Sequence, residues 1–215
     1  ICHIRLLYCY PEVVTDELIA EVRDNPKIIK YLDIPLQHSE DRVLKLMGRR
    51  GTRESYLQLI QKLRREIPGI ALRSTFIAGF PTETEEEVEG LKEFLSKARF
   101  ENCGFFAYSR EEGTPAYKLK GQLPARTKQR RVRALYKVQE AIADEYLASF
   151  VGKTVRVVCD EVDFARGCFV GRTYFQAYGV DGVTYFTAPH ATTGEEYDVV
   201  IERTKAGNLI GQAKE

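Results

Sequence analysis

Apolar residues in the first hundred positions alternate between two periods. Runs of strand length, "IRLLYCY" (4–10), "YLDIPLQ" (31–37), "IALRSTFIAGF" (70–80) and "CGFFAYS" (103–109), are separated by segments with helical spacing. Leu18, Ile19 and Val22 share a face behind the cap Thr15-Asp16. Tyr56, Leu59, Ile60 and Leu63 follow Thr52 and stop at Pro68-Gly69, and Val88, Leu91, Phe94, Leu95 and Ala98 follow the capping box Thr84-x-x-Glu87. Strand, helix, strand, helix predicts parallel strands joined by right-handed crossovers: half a (β/α) barrel, or an open doubly wound sheet.

A strand buried on both faces reads as nearly continuous Val, Ile and Leu. These strands do not. Asp33 and Gln37 share one face of the second run, Arg73 and Thr75 share one face of the third, and Arg5 interrupts the first. Polar faces turned inward line a ligand-holding lumen in barrels that keep their chemistry at the carboxyl ends of the strands. The alternative is that Asp33 and Arg73 pair as an ion bridge between neighbouring strands. The barrel reading also explains why a strand ends in Gln37-His38 just where a helix begins.

Residues 110–125 read as a loop rich in Gly, Pro and charge, and a long helix follows over about 126–150, striped by Val132, Leu135, Val138 and Ile142. Its first half, "RTKQRRVR", is basic and opposes the macrodipole, so an acidic group, a phosphate or water is expected to meet it. The acidic run "TETEEEVE" reads as a helix start, not a metal site. From Val151 the pattern changes to five short alternating runs separated by Arg166-Gly167, Asp181-Gly182 and Gly207-Asn208. This predicts a small antiparallel barrel of the oligonucleotide-binding kind. The predicted organisation is an α/β partial barrel over 1–150 followed by an all-β domain over 151–215.

A net charge of +1 supplies no global field that would recruit nucleic acid or a membrane. No apolar run approaches the roughly 20 residues of a membrane span. The five cysteines form no CxxC or CxxxCxxC, which points to a reduced, cytoplasmic setting, and the three histidines have no metal-ligand spacing. The sequence opens without Met directly on a strand, as expected of part of a longer protein.

The stretch "YLDIPLQHSEDRVLKLMGRRGTRESYLQLIQKLRREIPGIALRSTFIAGFPTETEEEVEGLKEFLSKARF" with "GFFAYSREEGTPA" resembles the radical S-adenosylmethionine methylthiotransferases, and the last 65 residues resemble their TRAM domain. The forms "IRLLYCYPE" and "PLQH" look like the branch that modifies an aspartate of the small-subunit ribosomal protein S-twelve. The resemblance implies S-adenosylmethionine and two 4Fe–4S clusters in a full-length protein, one bound through a CxxxCxxC that this chain lacks, so the chain alone is expected to be inactive. It implies that the retained strands lean on the ribose and adenine. Gln37 would hydrogen-bond ribose or carboxylate, Arg73 would line the lumen, Ile77 and Gly79 would pack on adenine, and Phe106 or Tyr108 would flank it. His38 either contacts substrate or turns back onto its loop. The implied partner is the ribosomal protein or the ribosome, through TRAM, with transfer RNA the alternative. Residues 151–215 carry seven Lys/Arg against nine Asp/Glu, which suits a basic partner. Arg156, Arg172 and Lys153 are the candidates for a local cationic patch.

Overall fold

The computed structural model describes residues 2–214. The chain forms two compact units, Ile1–Gln139 and Glu140–Glu215. The first is built on four strands, β1 (Ile4–Leu6), β2 (Ile28–Asp33), β3 (Ala71–Ala78) and β4 (Asn102–Ala107), in the order β1-β2-β3-β4. All three pairings are parallel. The connections carry α1 (Asp16–Asp24), α2 (Asp41–Leu46), α3 (Arg53–Glu66) and α4 (Glu85–Ala98). The caps act where the sequence places them: Thr15 Oγ1 accepts from Leu18 N–H, and Thr84 and Glu87 form a reciprocal capping box.

The two faces of β3 divide sharply. Leu72, Ser74, Phe76 and Ala78 are fully buried, whereas Arg73, Thr75 and Ile77 are half-buried. Phe76 centres the buried side, with Phe94, Phe100 and Phe105 at 6.2, 5.9 and 5.9 Å between ring centroids. The helices thus cover one face and leave the polar one half-open. β2 ends at Asp33 rather than continuing through residue 37, because Pro35 has no N–H to give the ladder. Beyond it the chain is still held: Leu36 N–H donates to Ser74 Oγ (3.3 Å), and Gln37 forms an isolated bridge to β3, donating to Thr75 O and accepting from Ile77 N–H.

Past these strand ends a buried ionic network fixes the loops. Glu83 lies between β3 and α4 with its side chain fully buried. Its carboxylate accepts from His38 Nε2 (3.1 Å), Gly79 N–H (2.8 Å) and Arg131 Nη1 (2.6 Å). His38 Nδ1 in turn accepts from Glu40 N–H, so the imidazole carries its proton on Nε2. His38 therefore turns back onto its own loop. Arg131 belongs to α5 (Ala125–Ala148) and also reaches Glu85 (2.7 Å), which Arg130 meets as well. The basic helix start and the acidic run, puzzling apart, answer each other here.

The second unit is a closed five-stranded barrel, β5 (Thr154–Asp163), β6 (Cys168–Arg172), β7 (Thr184–Thr187), β8 (Glu196–Lys205) and β9 (Asn208–Ala213), in the order β5-β6-β7-β9-β8. Its pairings are antiparallel except β7 with β9, which is parallel, so the expectation of a wholly antiparallel barrel needs that correction. The end of α5 belongs to this unit: Tyr146 stands edge-on to Phe150 and Phe175 at 5.1 and 5.2 Å.

Two outcomes follow for the network. Glu83→Ala strands Arg131 and His38 in a dry site, and chemical denaturation should register a loss of about 3–5 kcal/mol. Glu85 is held below the usual carboxylate range by hydrogen bonds from Arg131 and then Arg130. A carboxylate with a depressed pKa stabilises above the unfolded-state range, and its contribution disappears as pH falls through the depressed value. Denaturation measured across the acid range should therefore show a shallower acid-side loss in Glu85→Gln than in the parent chain.

Candidate functional site

The carboxyl ends of the parallel strands lie side by side, and the half-open face of the sheet leads up to them. Asp33 and Arg73 are register partners on β2 and β3, and their side chains pair at 3.0 Å, Asp33 nearly buried and Arg73 slightly exposed. The ion bridge foreseen as an alternative is thus real, and it is also part of the lining. Arg73 Nη1 donates to Thr75 Oγ1 as well (3.1 Å). Along the same face Thr75 stands beside Gly104 and Ile77 beside Phe106. Cys9 lies at this edge; its amide donates to Asp33 O, and burial, then the Asp33 charge, pushes its thiol pKa up. It is a neutral thiol there, not a nucleophile.

Gly104 opens a shallow cradle. A Cβ there would stand 3.3 Å from Arg73 Nη2, 3.5 Å from the Phe106 ring and 3.7 Å from Thr75 Oγ1. The absent side chain leaves a space walled by a cation, a hydroxyl and an aromatic edge. Phe106 is 59% exposed, although β4 otherwise packs inward through Phe105. Gln37 sits at the rim with φ +72°. A non-glycine residue held there costs about 1–3 kcal/mol, a strain that gathers at working sites. Its backbone is bonded on both sides, and its amide makes no hydrogen bond among the described residues.

The sequence candidates separate accordingly. Arg73, Ile77 and Phe106 lie along the half-open face, and Gln37 is bridged to Phe76 just beyond the end of β2. Gly79 and Tyr108 are at the same strand ends but face α5. The open side of Gly79 (φ +77°) is filled by Lys128, whose Cγ and Cβ lie 2.5 and 2.9 Å from where a Cβ would be. Tyr108 packs edge-on to Phe80 at 5.1 Å beneath the Lys128 ammonium, its hydroxyl buried without a partner. Thr75 was marked in the sequence as part of the polar face, whereas Gly104 and Glu83 were not singled out. Gly104 became significant only through the register that sets it beside Thr75, two positions from Phe106. Glu83 was hidden inside an acidic run.

Among the described residues no group of three or more His, Cys, Asp or Glu side chains is arranged to hold a metal ion. The residues present therefore do not fit an iron–sulfur cluster. The half-open face offers groups of the kind a nucleoside uses: the exposed ring of Phe106, the space at Gly104, apolar Ile77, and hydrogen-bonding groups on Arg73 and Thr75.

The barrel has its own concave feature. A cleft of about 410 Å³ is lined by Arg166, Tyr185, Arg203, Lys205 and Asn208, among others, with no carboxylate in its wall. The Arg166 guanidinium lies 5.2 Å over the Tyr185 ring. The patch proposed from sequence does not form. Arg172 pairs with Asp160, and Arg156 with Asp198 and Glu196. Lys153 stays exposed beside the Phe150 ring, and in the cleft Arg166 is paired with Asp163 while Arg203 and Lys205 carry no ion pair among the described residues. Pairing along the chain hid this, because only the β8–β9 turn brings Arg203 and Lys205 toward β6 and β7.

Phe106→Ala should leave denaturation stability within about 0.5 kcal/mol of the parent, as for a surface residue; a loss of core size would assign Phe106 to packing instead.

Comparison with known proteins agrees with this geometry. Residues 2–95 match the Radical SAM superfamily and residues 151–213 the TRAM domain. The chain is 46% identical over 98% of its length to the ribosomal protein uS12 methylthiotransferase RimO of Lachnoclostridium phytofermentans, covering 48% of that protein. It is 44% identical over 99% of its length to the RimO of Pelobacter propionicus, covering 47%, and 45% identical over 92% to that of Thermodesulfovibrio yellowstonii, covering 46%. The chain spans about half the length of these curated relatives. Among solved structures, coproporphyrinogen III oxidase (HemN) from Escherichia coli, a radical SAM enzyme, superposes with a TM-score of 0.53 at 14% identity, covering 80% of this chain and 44% of that one. A half-open parallel sheet followed by a TRAM barrel, matched nearly end to end by these relatives, places the chain in the radical S-adenosylmethionine methylthiotransferase family.

Proposed function

We infer that this chain is the substrate-side portion of an enzyme that methylthiolates the β-carbon of an aspartate in ribosomal protein uS12. The observation that carries the reading is the face formed by Arg73, Thr75, Ile77, Gly104 and Phe106, with Gln37 at its rim. Its chemistry suits the adenosine half of S-adenosylmethionine. When bound, S-adenosylmethionine supplies the one-electron chemistry that breaks an unactivated C–H bond. The residues of this chain bind and orient. Ile77 and Phe106 pack on the adenine, with Gly104 allowing close approach. Gln37 bonds the ribose hydroxyls or the methionyl carboxylate. Arg73, kept in place by Asp33 and Thr75, sets the polar wall. Gly79 and Tyr108 shape the same strand ends through their contacts with Lys128. The iron–sulfur clusters of the family take their ligands from sequence outside this chain.

The TRAM barrel is read as the contact with the macromolecular substrate. Its excess of carboxylates suits a basic ribosomal protein, and the cationic cleft gives it one place where the sign reverses. A modification enzyme for ribosomes works in the cytoplasm, and among the described residues no helix is long and apolar enough to cross a membrane.

The test uses the full-length protein with its clusters reconstituted, offered ribosomes and transfer RNA in separate reactions, with mass spectrometry of both products. A methylthio increment on an aspartate of uS12 is expected. An increment on transfer RNA adenosine, or on neither, rejects the reading. In the same protein Phe106→Ala should raise the KM for S-adenosylmethionine about tenfold or more with a smaller change in kcat, the mark of lost binding.

A further inference from the structure

We propose that the exposed face of α5 in the first unit is a binding surface for the phosphate backbone of single-stranded RNA, distinct from the TRAM barrel. The segment from Gly113 to Gln139 contains eight Lys/Arg and no Asp or Glu. Within it Arg126, Arg130, Arg133 and Lys137 recur at i, i+4, i+7 and i+11, so they lie on one face of the helix, and all four are exposed. At 1.5 Å per residue the stripe runs about 16 Å. Arg126, Arg133 and Lys137 have no acidic partner among the described residues. Arg130 meets Glu85, but both are more than half exposed, and such a pair contributes little.

Local stability does not account for the stripe. No acidic residue stands in the first turn of α5 to complement the dipole, and the successive cations repel at i, i+4 spacing. Glu83 and Glu85 answer Arg131 and Arg130, but Arg126, Arg133 and Lys137 break local rules without such compensation, which is where a functional demand is expected. The inner side of the helix has separate duties, which Arg131, Lys128 and Gln139 discharge toward Glu83, Tyr108 and Phe100. The exposed side is therefore free of them.

Two further features select RNA over an acidic protein. Tyr136 flanks the stripe on the side toward β4, where its hydroxyl accepts from Phe105 N–H and its ring stands edge-on to Phe105 at 4.9 Å, and it remains 39% exposed. An aromatic beside cations is the arrangement on which unpaired bases stack. In the preceding loop, Lys118 and Lys120 are exposed, and Gly121 O accepts from Thr82 N–H at the start of α4. Lys120 is thereby held near the helix start that Arg130 reaches through Glu85. The inference does not depend on the identity of the methylthiolated residue, because it is tested with bare RNA and no catalysis.

Anisotropy of a short labelled single-stranded RNA is measured with the chain across about 50 to 200 mM salt, the range in which phosphate contacts weaken steeply. The triple variant R126Q/R133Q/K137Q should bind about tenfold or more weaker at the low end, and its log–log salt slope should shrink by about 2, or roughly 0.7 for each lost contact. A control removing the same charge elsewhere, K27Q/K45Q/K97Q, should bind like the parent. R126K/R133K should also retain binding, which separates charge from any effect on folding. An unchanged slope in the triple variant, an equal loss in the control, or tighter binding of an acidic peptide than of RNA overturns the proposal.

Discussion

The buried carboxylate of Glu83 ties together three segments distant in sequence: the loop after β2 through His38, the end of β3 through the Gly79 amide, and α5 through Arg131. The sheet ladder alone does not do this. β2 leaves the ladder at Asp33, and Gln37 rejoins β3 only through one bridge. Glu83 adds a fixed point beyond the strand ends, next to Gln37 through His38 and at the Gly79 amide. A charge in a dry site is tolerable because it is fully paired, and removing any partner exposes the others to the penalty of burial without compensation.

This arrangement lets one sheet carry two unlike faces. Phe76 and its aromatic neighbours supply the packing that makes the first unit fold, while Arg73 and Thr75 remain half-buried on the opposite side. Polar groups on that face stay ordered because they bond each other: Asp33 orients Arg73, and Arg73 donates to Thr75. Such pre-arranged groups lose little freedom on binding a ligand. In the barrel, Arg156, Arg166 and Arg172 pair with neighbouring carboxylates, while Arg203 and Lys205 in the cleft wall do not.

Much of the fold was legible because period and caps agree locally. Thr52 and Thr84 start their helices where the sequence places them, and the five short runs after Val151 become five strands. Parallel pairing of β7 with β9 was not legible, since turn residues show where strands end but not which edges meet in a closed barrel. The site was legible only in part. The alternation of Arg73 and Thr75 with apolar residues revealed a polar face. The fate of Gly79 was not visible, because its open side is filled by Lys128, about fifty positions away along the chain. His38 and Glu83 looked like a strand end and a helix start, and their meeting depends on tertiary closure that no local pattern encodes.

Hydrogen exchange at individual amides in the parent chain and in Glu83→Gln tests the central claim most directly. The Gly79 amide donates to Glu83 itself, the Glu40 amide is held by it through His38, and the Leu72 amide donates to a different carboxylate, Glu101. If Glu83 is the fixed point, protection at Gly79 and Glu40 falls together in the variant while Leu72 keeps its own. Undiminished protection at Glu40, or an equal fall at Leu72, would contradict it.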